Sequence, residues 1–227
     1  MTQNDIPVVT LRGISVSYGG RPILSDLNLS VEPGTRNVIS GSNGAGKTTL
    51  LRIILGLIEP DRGDASVFGT PLGTRDWKRQ RHRLAYLHQE SVNVDLPISA
   101  YEVAEIGVVT LGLGYREKRR VVAKSMAMTG CEHLGERAYA VLSGGEKQKV
   151  SLARCMGQNP DILLLDEPCA SLDPGAKKEI VSTLDNLNAS RGTTMLMVSH
   201  EHAHIELEGW KRLHLVDGCI KMNGERG

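Results

Sequence analysis

Residues Gly41-Ser42-Asn43-Gly44-Ala45-Gly46-Lys47-Thr48 fit G-x-x-x-x-G-K-[ST], a loop built to hold phosphate. Glycines at 41, 44 and 46 let the backbone wrap closely and turn its N–H groups toward phosphate oxygens. Lys47 brings a compact positive charge for the β- and γ-phosphates, and the Thr48 hydroxyl can ligate Mg2+. A plain glycine-rich turn would share only the glycines. Here the loop follows the apolar run Asn37–Ser40 and opens a helix-like run from Lys47, the context that the phosphate reading requires.

Two further clusters carry chemistry. Leu142-Ser143-Gly144-Gly145-Glu146 reads as a second phosphate-facing helix start, with Ser143 as cap and Glu146 completing a capping box. Asp166-Glu167 closes the apolar run Ile162–Leu165 with two carboxylates. Asp166 can hold Mg2+ directly or through water. Glu167, one residue on, is placed to take a proton from an attacking water. Acidic residues after strands are common in solvated loops, so the pair gains its meaning from the P-loop.

A rival pattern is His200-Glu201-His202-Ala203-His204, which fits the zinc-protease pattern H-E-x-x-H. That chemistry needs both histidines on one helical face, four residues apart. His200 instead ends the strand-like run Thr193–Ser199, which sets the zinc reading aside and leaves His202 and His204 as solvated side chains.

The elements that must position these groups are legible in outline. Val8–Tyr18 and Leu24–Val31 alternate apolar and polar residues around Gly19-Gly20-Arg21-Pro22, which predicts antiparallel strands joined by a turn. Asn37–Ser40 predicts a strand feeding the P-loop, and Lys47–Leu57 a buried helix. Helical patterns fall at Ala100–Val109 and Glu117–Met128, with a capping box at Ser99/Glu102. Ile162–Leu165 and Thr194–Val198 are continuous apolar runs, as in strands buried on both faces of a parallel sheet. Leu213–Val216 and Cys219–Met222 predict a hairpin about Asp217-Gly218. The fold class expected is α/β, with a mainly parallel sheet, an N-terminal antiparallel β patch and a helical insertion. The expected division is one domain over 1–227, with residues 1–90 and 158–227 as core and 91–157 as helical subdomain.

Composition bounds the function. The 227 residues are 40% hydrophobic, enough for a sizeable core. With 27 basic and 26 acidic residues the net charge is +1, so no global field recruits nucleic acid or membrane. Cys131, Cys155, Cys169 and Cys219 form no C-x-x-C pair, the pattern of reduced thiols. The opening Met1–Pro7 lacks the basic and apolar stretches of a secretory signal. No apolar run approaches the roughly 18–20 residues that span a bilayer.

With these residues in place, the chain resembles the nucleotide-binding subunit of an ABC transporter over almost its whole length. In the family's order, Tyr18 looks like the aromatic that stacks on adenine and Gly41–Thr48 like the Walker A loop. Gln89 looks like the Q-loop glutamine, Leu142–Glu146 like the signature, and Ile162–Glu167 like Walker B. Ser171-Leu172-Asp173 is similar to the D-loop, and His200 to the switch histidine. The sequence departs from the family at Glu146, where Gln is commoner, and at His88, where Pro usually precedes the glutamine.

The resemblance implies an ATPase with ATP and Mg2+ at the seam of a homodimer, or of a pseudo-dimer with a related ATPase subunit. Tyr18, Gly41, Ser42, Asn43, Gly44, Ala45, Gly46, Lys47, Thr48, Thr49 and Gln89 would bind ATP, and Thr48, Gln89 and Asp166 the Mg2+. Glu167 and His200 would be catalytic, and Ser143, Gly144, Gly145 and Glu146 would close on ATP from the opposite subunit, with Asp173 across the interface. Polytopic permease subunits and a separate solute-binding protein are the implied partners, and nucleic acid is not. The implied place is peripheral, on the cytoplasmic face of the inner membrane. A soluble ABC ATPase of DNA repair or translation is the alternative, although the long coiled-coil insertions and tandem cassettes usual there are missing. Asp95–Gly107 looks like the matching stretch of zinc, manganese or iron-chelate importers.

Overall fold

The structure is a computed structural model, and it describes residues 6–88, 97–200 and 207–222. It opens on β1 (Val9–Tyr18) and β2 (Arg21–Val31), an antiparallel pair in which Tyr18 faces Arg21. The turn is only Gly19-Gly20, both at positive φ (56° and 76°), so Arg21 and Pro22 already belong to β2. Two left-handed residues suit the twist of a two-residue hairpin, and glycine enters that region without strain. After β3 (Arg36–Ser40) and α1 (Lys47–Ile54), β4 (Arg62–Val67) and β5 (Thr70–Pro71) join the first pair in a sheet of order β2-β1-β4-β5.

The main sheet has the order β10-β9-β3-β8-β7-β6, with β6 at Leu84–Leu87, β7 at Ile162–Asp166 and β8 at Thr194–Ser199. Its last strands are β9 (Lys211–Val216) and β10 (Cys219–Met222). Every pair in it is parallel except the terminal hairpin β9-β10, which turns at Asp217-Gly218 as the sequence predicts. The all-apolar strands follow from burial on both faces. Ile162 and Leu164 pack toward α1 and the antiparallel sheet, whereas Leu163 and Leu165 pack toward α5 (Gly144–Gly157) and α6 (Pro174–Arg191).

The helical part carries a third core, built by Val103, Val122, Met126, Tyr139 and Val150 from α3 (Ala100–Glu105), α4 (Tyr115–Met128), the 3-10 turn Tyr139–Val141 and α5. Helix α5 is shared, since Val150 and Ala153 face this core while Leu152, Cys155 and Met156 face the main sheet.

Two expected helices are shorter than their apolar patterns. α1 stops at Ile54 because Gly56 turns left-handed (φ 67°) and ends the ladder, so the helix does not reach Leu57. The stretch beginning at Ala100 is α-helical only to Glu105, then tightens into a 3-10 helix over Ile106–Leu111. There Gly107 lies so close to α5 that a Cβ would stand 1.9 Å from the carbonyl oxygen of Arg154. α2 (Arg75–Gln80), β4, β5, β6 and α6 are elements that the sequence reading leaves unassigned.

Candidate active site

The P-loop turns from the end of β3 into α1, and two of its glycines are fixed by packing. A Cβ on Gly41 would lie 2.6 Å from the Leu215 carbonyl oxygen. Gly46, at φ 99°, caps α1, and its Cβ would lie 2.8 Å from Leu24 Cδ2 and 3.0 Å from Ile23 Cγ2. Gly44 differs: it has φ 81° with nothing within 4 Å, so its backbone faces open space. No side chain caps the start of α1 and no acidic residue stands in its first turn. That N-terminus therefore fits an anion without competition from a carboxylate of its own first turn.

Around this loop lies a cleft of about 420 Å3, lined by Ile23, Asn43, Gly44, Gly46, Lys47, Thr48, Thr49, Glu167 and His200. Lys47 is buried, and its Nζ donates to the carbonyl oxygens of Gly41 (2.8 Å) and Ser42 (3.1 Å). The same ammonium stands 3.7 Å from Glu167 Oε1. Thr48 Oγ1 donates to Asp166 Oδ1 at 3.2 Å, so a hydroxyl and a carboxylate converge as hard oxygen donors, the kind that Mg2+ takes. Asp166 is only 1% exposed, and its second oxygen accepts a hydrogen bond from the Tyr86 hydroxyl at 2.8 Å.

Glu167 leaves the strand in a left-handed conformation (φ 51°), with its backbone N–H held by the Val198 carbonyl oxygen at 3.0 Å. Its side chain bridges the cleft. Oε1 faces Lys47, while Oε2 is bonded to His200 Nδ1 and accepts the His200 backbone N–H at 3.4 Å. The carboxylate is buried and flanked by the Lys47 ammonium and by two nitrogens of His200, which fix its orientation.

The structure gathers Lys47, Thr48, Asp166, Glu167 and His200, residues up to 153 positions apart in sequence, around one cleft. Tyr18 ends β1 half-exposed, and it is Ile23 of the neighbouring strand that lines the cleft. Gln89 lies outside the described residues, as do His202 and His204. His200 follows strand β8 directly, so the first position of the zinc pattern is not in a helix. Among the described residues no cluster of three or more His, Cys, Asp or Glu is arranged to hold a metal ion.

The second helix start is formed as the sequence predicts. Ser143 Oγ accepts from the Glu146 backbone N–H at 3.3 Å, and Glu146 Oε2 accepts from the Ser143 backbone N–H at 2.8 Å. Glu146 Oε1 takes Arg137 Nη1 at 2.9 Å. The Ser143 N–H and hydroxyl, with Arg137 adding to them, hold the Glu146 carboxyl below the usual range. Both glycines are packing sites: a Cβ on Gly144 would lie 3.1 Å from Leu172 Cδ2, and one on Gly145 3.1 Å from Ala176 Cβ. Asp173 caps α6 through the Ala176 N–H at 3.0 Å, one residue beyond the Leu172 that Gly144 contacts. Ser143, Gly144 and Gly145 do not line the P-loop cleft of their own chain.

Sequence reasoning passes over Tyr86 and Ile23. Tyr86 carries a faint signal, a phenol within an otherwise apolar four-residue strand, but its partner lies 80 positions away. Ile23 carries none, because nothing in its type marks it as lining a cleft.

Comparison with known proteins shows the family. Residues 24–170 match the family described as ABC transporter. The chain is 38% identical over 198 residues to the manganese transport system ATP-binding protein MntB of Bacillus subtilis, covering 85% of this chain and 77% of that one. It is 34% identical over 200 residues to the zinc import ATP-binding protein ZnuC of Pseudomonas aeruginosa, covering 87% and 67%. Its fold is similar to the dimeric structure of the bacterial ABC transporter cassette MJ0796, with a TM-score of 0.81 and 25% identity over 96% of this chain and 99% of that one. The chain belongs to the ABC transporter family, as an ATP-binding subunit that couples ATP hydrolysis to transport.

Proposed function

We propose that this chain is one half of an ATP-driven clamp that powers a metal importer from the cytoplasmic face of the inner membrane. One observation carries the reading: Lys47, Thr48, Glu167 and His200 line the P-loop cleft, with Asp166 behind Thr48, while the capped Ser143-Gly144-Gly145 helix start does not line it. Two chains placed head to tail supply each other's missing half. The partner is a second copy of this chain or a related ATPase subunit. Asp173, beside the same helix start, belongs to the seam between them.

In each composite site the P-loop N–H groups and Lys47 hold the β- and γ-phosphates. Tyr18, at the end of β1, stacks on the adenine, and Ser42, Asn43, Ala45 and Thr49 extend the phosphate cradle. Thr48, Asp166 and Gln89 would hold Mg2+. When bound, the ion draws charge from the phosphate oxygens. Glu167 accepts a proton from water as the water oxygen bonds to the γ-phosphorus and the bond to the ADP oxygen breaks. His200, bonded to Glu167 Oε2, keeps that carboxylate aimed. Ser143, Gly144 and Gly145 of the opposite chain close over the γ-phosphate, with Glu146 holding their helix start together.

The membrane partner is a polytopic permease, served by a separate solute-binding protein. No helix among the described residues is long and apolar enough to cross a membrane. A groove of about 580 Å3 between the core and the helical part, lined by Leu57, Trp77, Ile106, Thr110 and Arg154, offers the permease a seat. Leu57 and Ile106 are exposed there, at 66% and 52%. Manganese or zinc uptake is supported by the two relatives named above and by the Asp95–Gly107 stretch. The membrane protein that copurifies with the chain identifies the solute.

The test of the catalytic reading is Glu167→Gln. The variant is expected to bind ATP, to lose turnover by about 10²–10⁴-fold, as when a general base is removed, and to accumulate an ATP-dependent dimer in gel filtration. Turnover at the wild-type rate would remove Glu167 from the role of base.

A further inference from the structure

The buried carboxylate of Asp166 has two oxygens with two different neighbours. Oδ1 meets the Thr48 hydroxyl on the cleft side at 3.2 Å, and Oδ2 meets the Tyr86 hydroxyl at 2.8 Å. The sheet explains the reach of Tyr86. β6 and β7 run parallel with Tyr86 level with Leu164, and Leu164 and Asp166 project to the same face, two residues apart. The phenol spans that step along the strand and ends on the carboxylate. A buried carboxylate needs hydrogen bonds to remain charged in place, and a tyrosine hydroxyl is one of the few neutral donors with this length.

The ring itself is braced. It stands edge-on to the His88 ring, with centroids 5.7 Å apart and planes at 88°. The Cys155 thiol of α5 donates to the Tyr86 carbonyl oxygen at 3.5 Å. Burial, and then the bond to Asp166, push the Tyr86 hydroxyl well above the usual phenol range.

We propose that Tyr86 is a positioning residue for the metal-bound nucleotide, which anchors Asp166 Oδ2 so that Oδ1 is presented on the Thr48 side of the cleft. The proposal rests on the reading of Thr48 and Asp166 as Mg2+ ligands. Tyr86 does not line the P-loop cleft; it acts through Asp166. Groups that hold a metal-binding carboxylate in place from behind are commonly worth 10–100-fold in metal affinity.

Tyr86→Phe keeps the ring and removes only the donor. The test is binding of a fluorescent ATP analogue to the full chain, in EDTA and across a Mg2+ titration, beside the Mg2+ dependence of ATPase turnover. In EDTA, Tyr86→Phe is expected to bind the analogue like the wild type, because the P-loop is untouched. The Mg2+ midpoint, in binding and in turnover alike, is expected to rise about tenfold or more. A midpoint within twofold of wild type overturns the proposal, as does an equal loss of affinity with and without Mg2+, which marks a role in packing alone. Asp166→Asn separates the two levels of the argument. If Asp166→Asn shifts the Mg2+ midpoint and Tyr86→Phe does not, the positioning role fails and the metal reading stands. If Mg2+ has no effect on wild-type binding, or its effect survives Asp166→Asn, the metal reading fails and the proposal falls with it.

Discussion

His200 donates to the same carboxylate that Lys47 approaches from the other side, so the orientation of Glu167 is set by two residues that the sequence places 153 positions apart. His200→Ala removes the hydrogen bond and leaves the P-loop untouched. The expected result is unchanged ATP affinity with turnover lower by about 10²-fold, at the low end of what a misplaced general base costs. Measuring nucleotide binding and steady-state hydrolysis on the same preparation checks both halves, and a fall in affinity equal to the fall in turnover would assign His200 to binding. At this scale the sequence was highly legible where chemistry needs a local spacing. Gly41–Thr48 and Asp166-Glu167 are contiguous, and the positive φ of Gly44 and Gly46 follows from residue type. It was silent where chemistry depends on a neighbouring strand. Nothing near Tyr86 in the chain points to Asp166, and nothing in Glu167 itself announces a left-handed backbone.

Among the helices, those whose sequence declares a cap start where that cap predicts. Ser99/Glu102 and Ser143/Glu146 both form reciprocal caps, because the two residues that satisfy each other's N–H groups lie three apart in sequence. α6 has a clear start at Asp173-Pro174 yet buries only Ile180, Val181, Leu184 and Leu187 over 18 residues, too sparse a stripe to announce its length. The tightening at Ile106–Leu111 comes from close contact with α5, a tertiary cause that no local pattern carries. The cap at Glu146 also gives a pH dependence with a definite sign. Its folded pKa lies below the ordinary value of 4.5, so the stability it contributes is present above that value and is lost as pH falls through the lower, folded one. Glutamine completes the same box without a charge. Thermal melts of wild type and Glu146→Gln should therefore show the wild type the more stable at pH 7, with the gap closing below about pH 4.5, the ordinary value of the carboxyl. A gap that widens on acidification would contradict the assignment.

For the whole molecule, the sheet order β10-β9-β3-β8-β7-β6 could not be read from the chain, because apolar strands buried on both faces carry no mark of their neighbours. The expectation of a partner rests on a second capped helix start, which in the fold does not line the cleft of the first. Ser143→Arg tests that division directly. Ser143 is exposed and outside its own chain's cleft, so the variant is expected to bind ATP with wild-type affinity. A bulky cation at the seam would block closure, and both the ATP-dependent dimer and turnover should be lost. Lys47→Ala removes the other half: its signature helix is intact and its P-loop cannot hold phosphate. Mixing the two inactive chains restores one complete site per mixed dimer, from the P-loop of one and the helix start of the other. Turnover that neither chain shows alone, appearing on mixing, would establish the composite site. A Ser143→Arg chain that hydrolyses ATP at the wild-type rate by itself would show that the P-loop cleft is complete within one subunit.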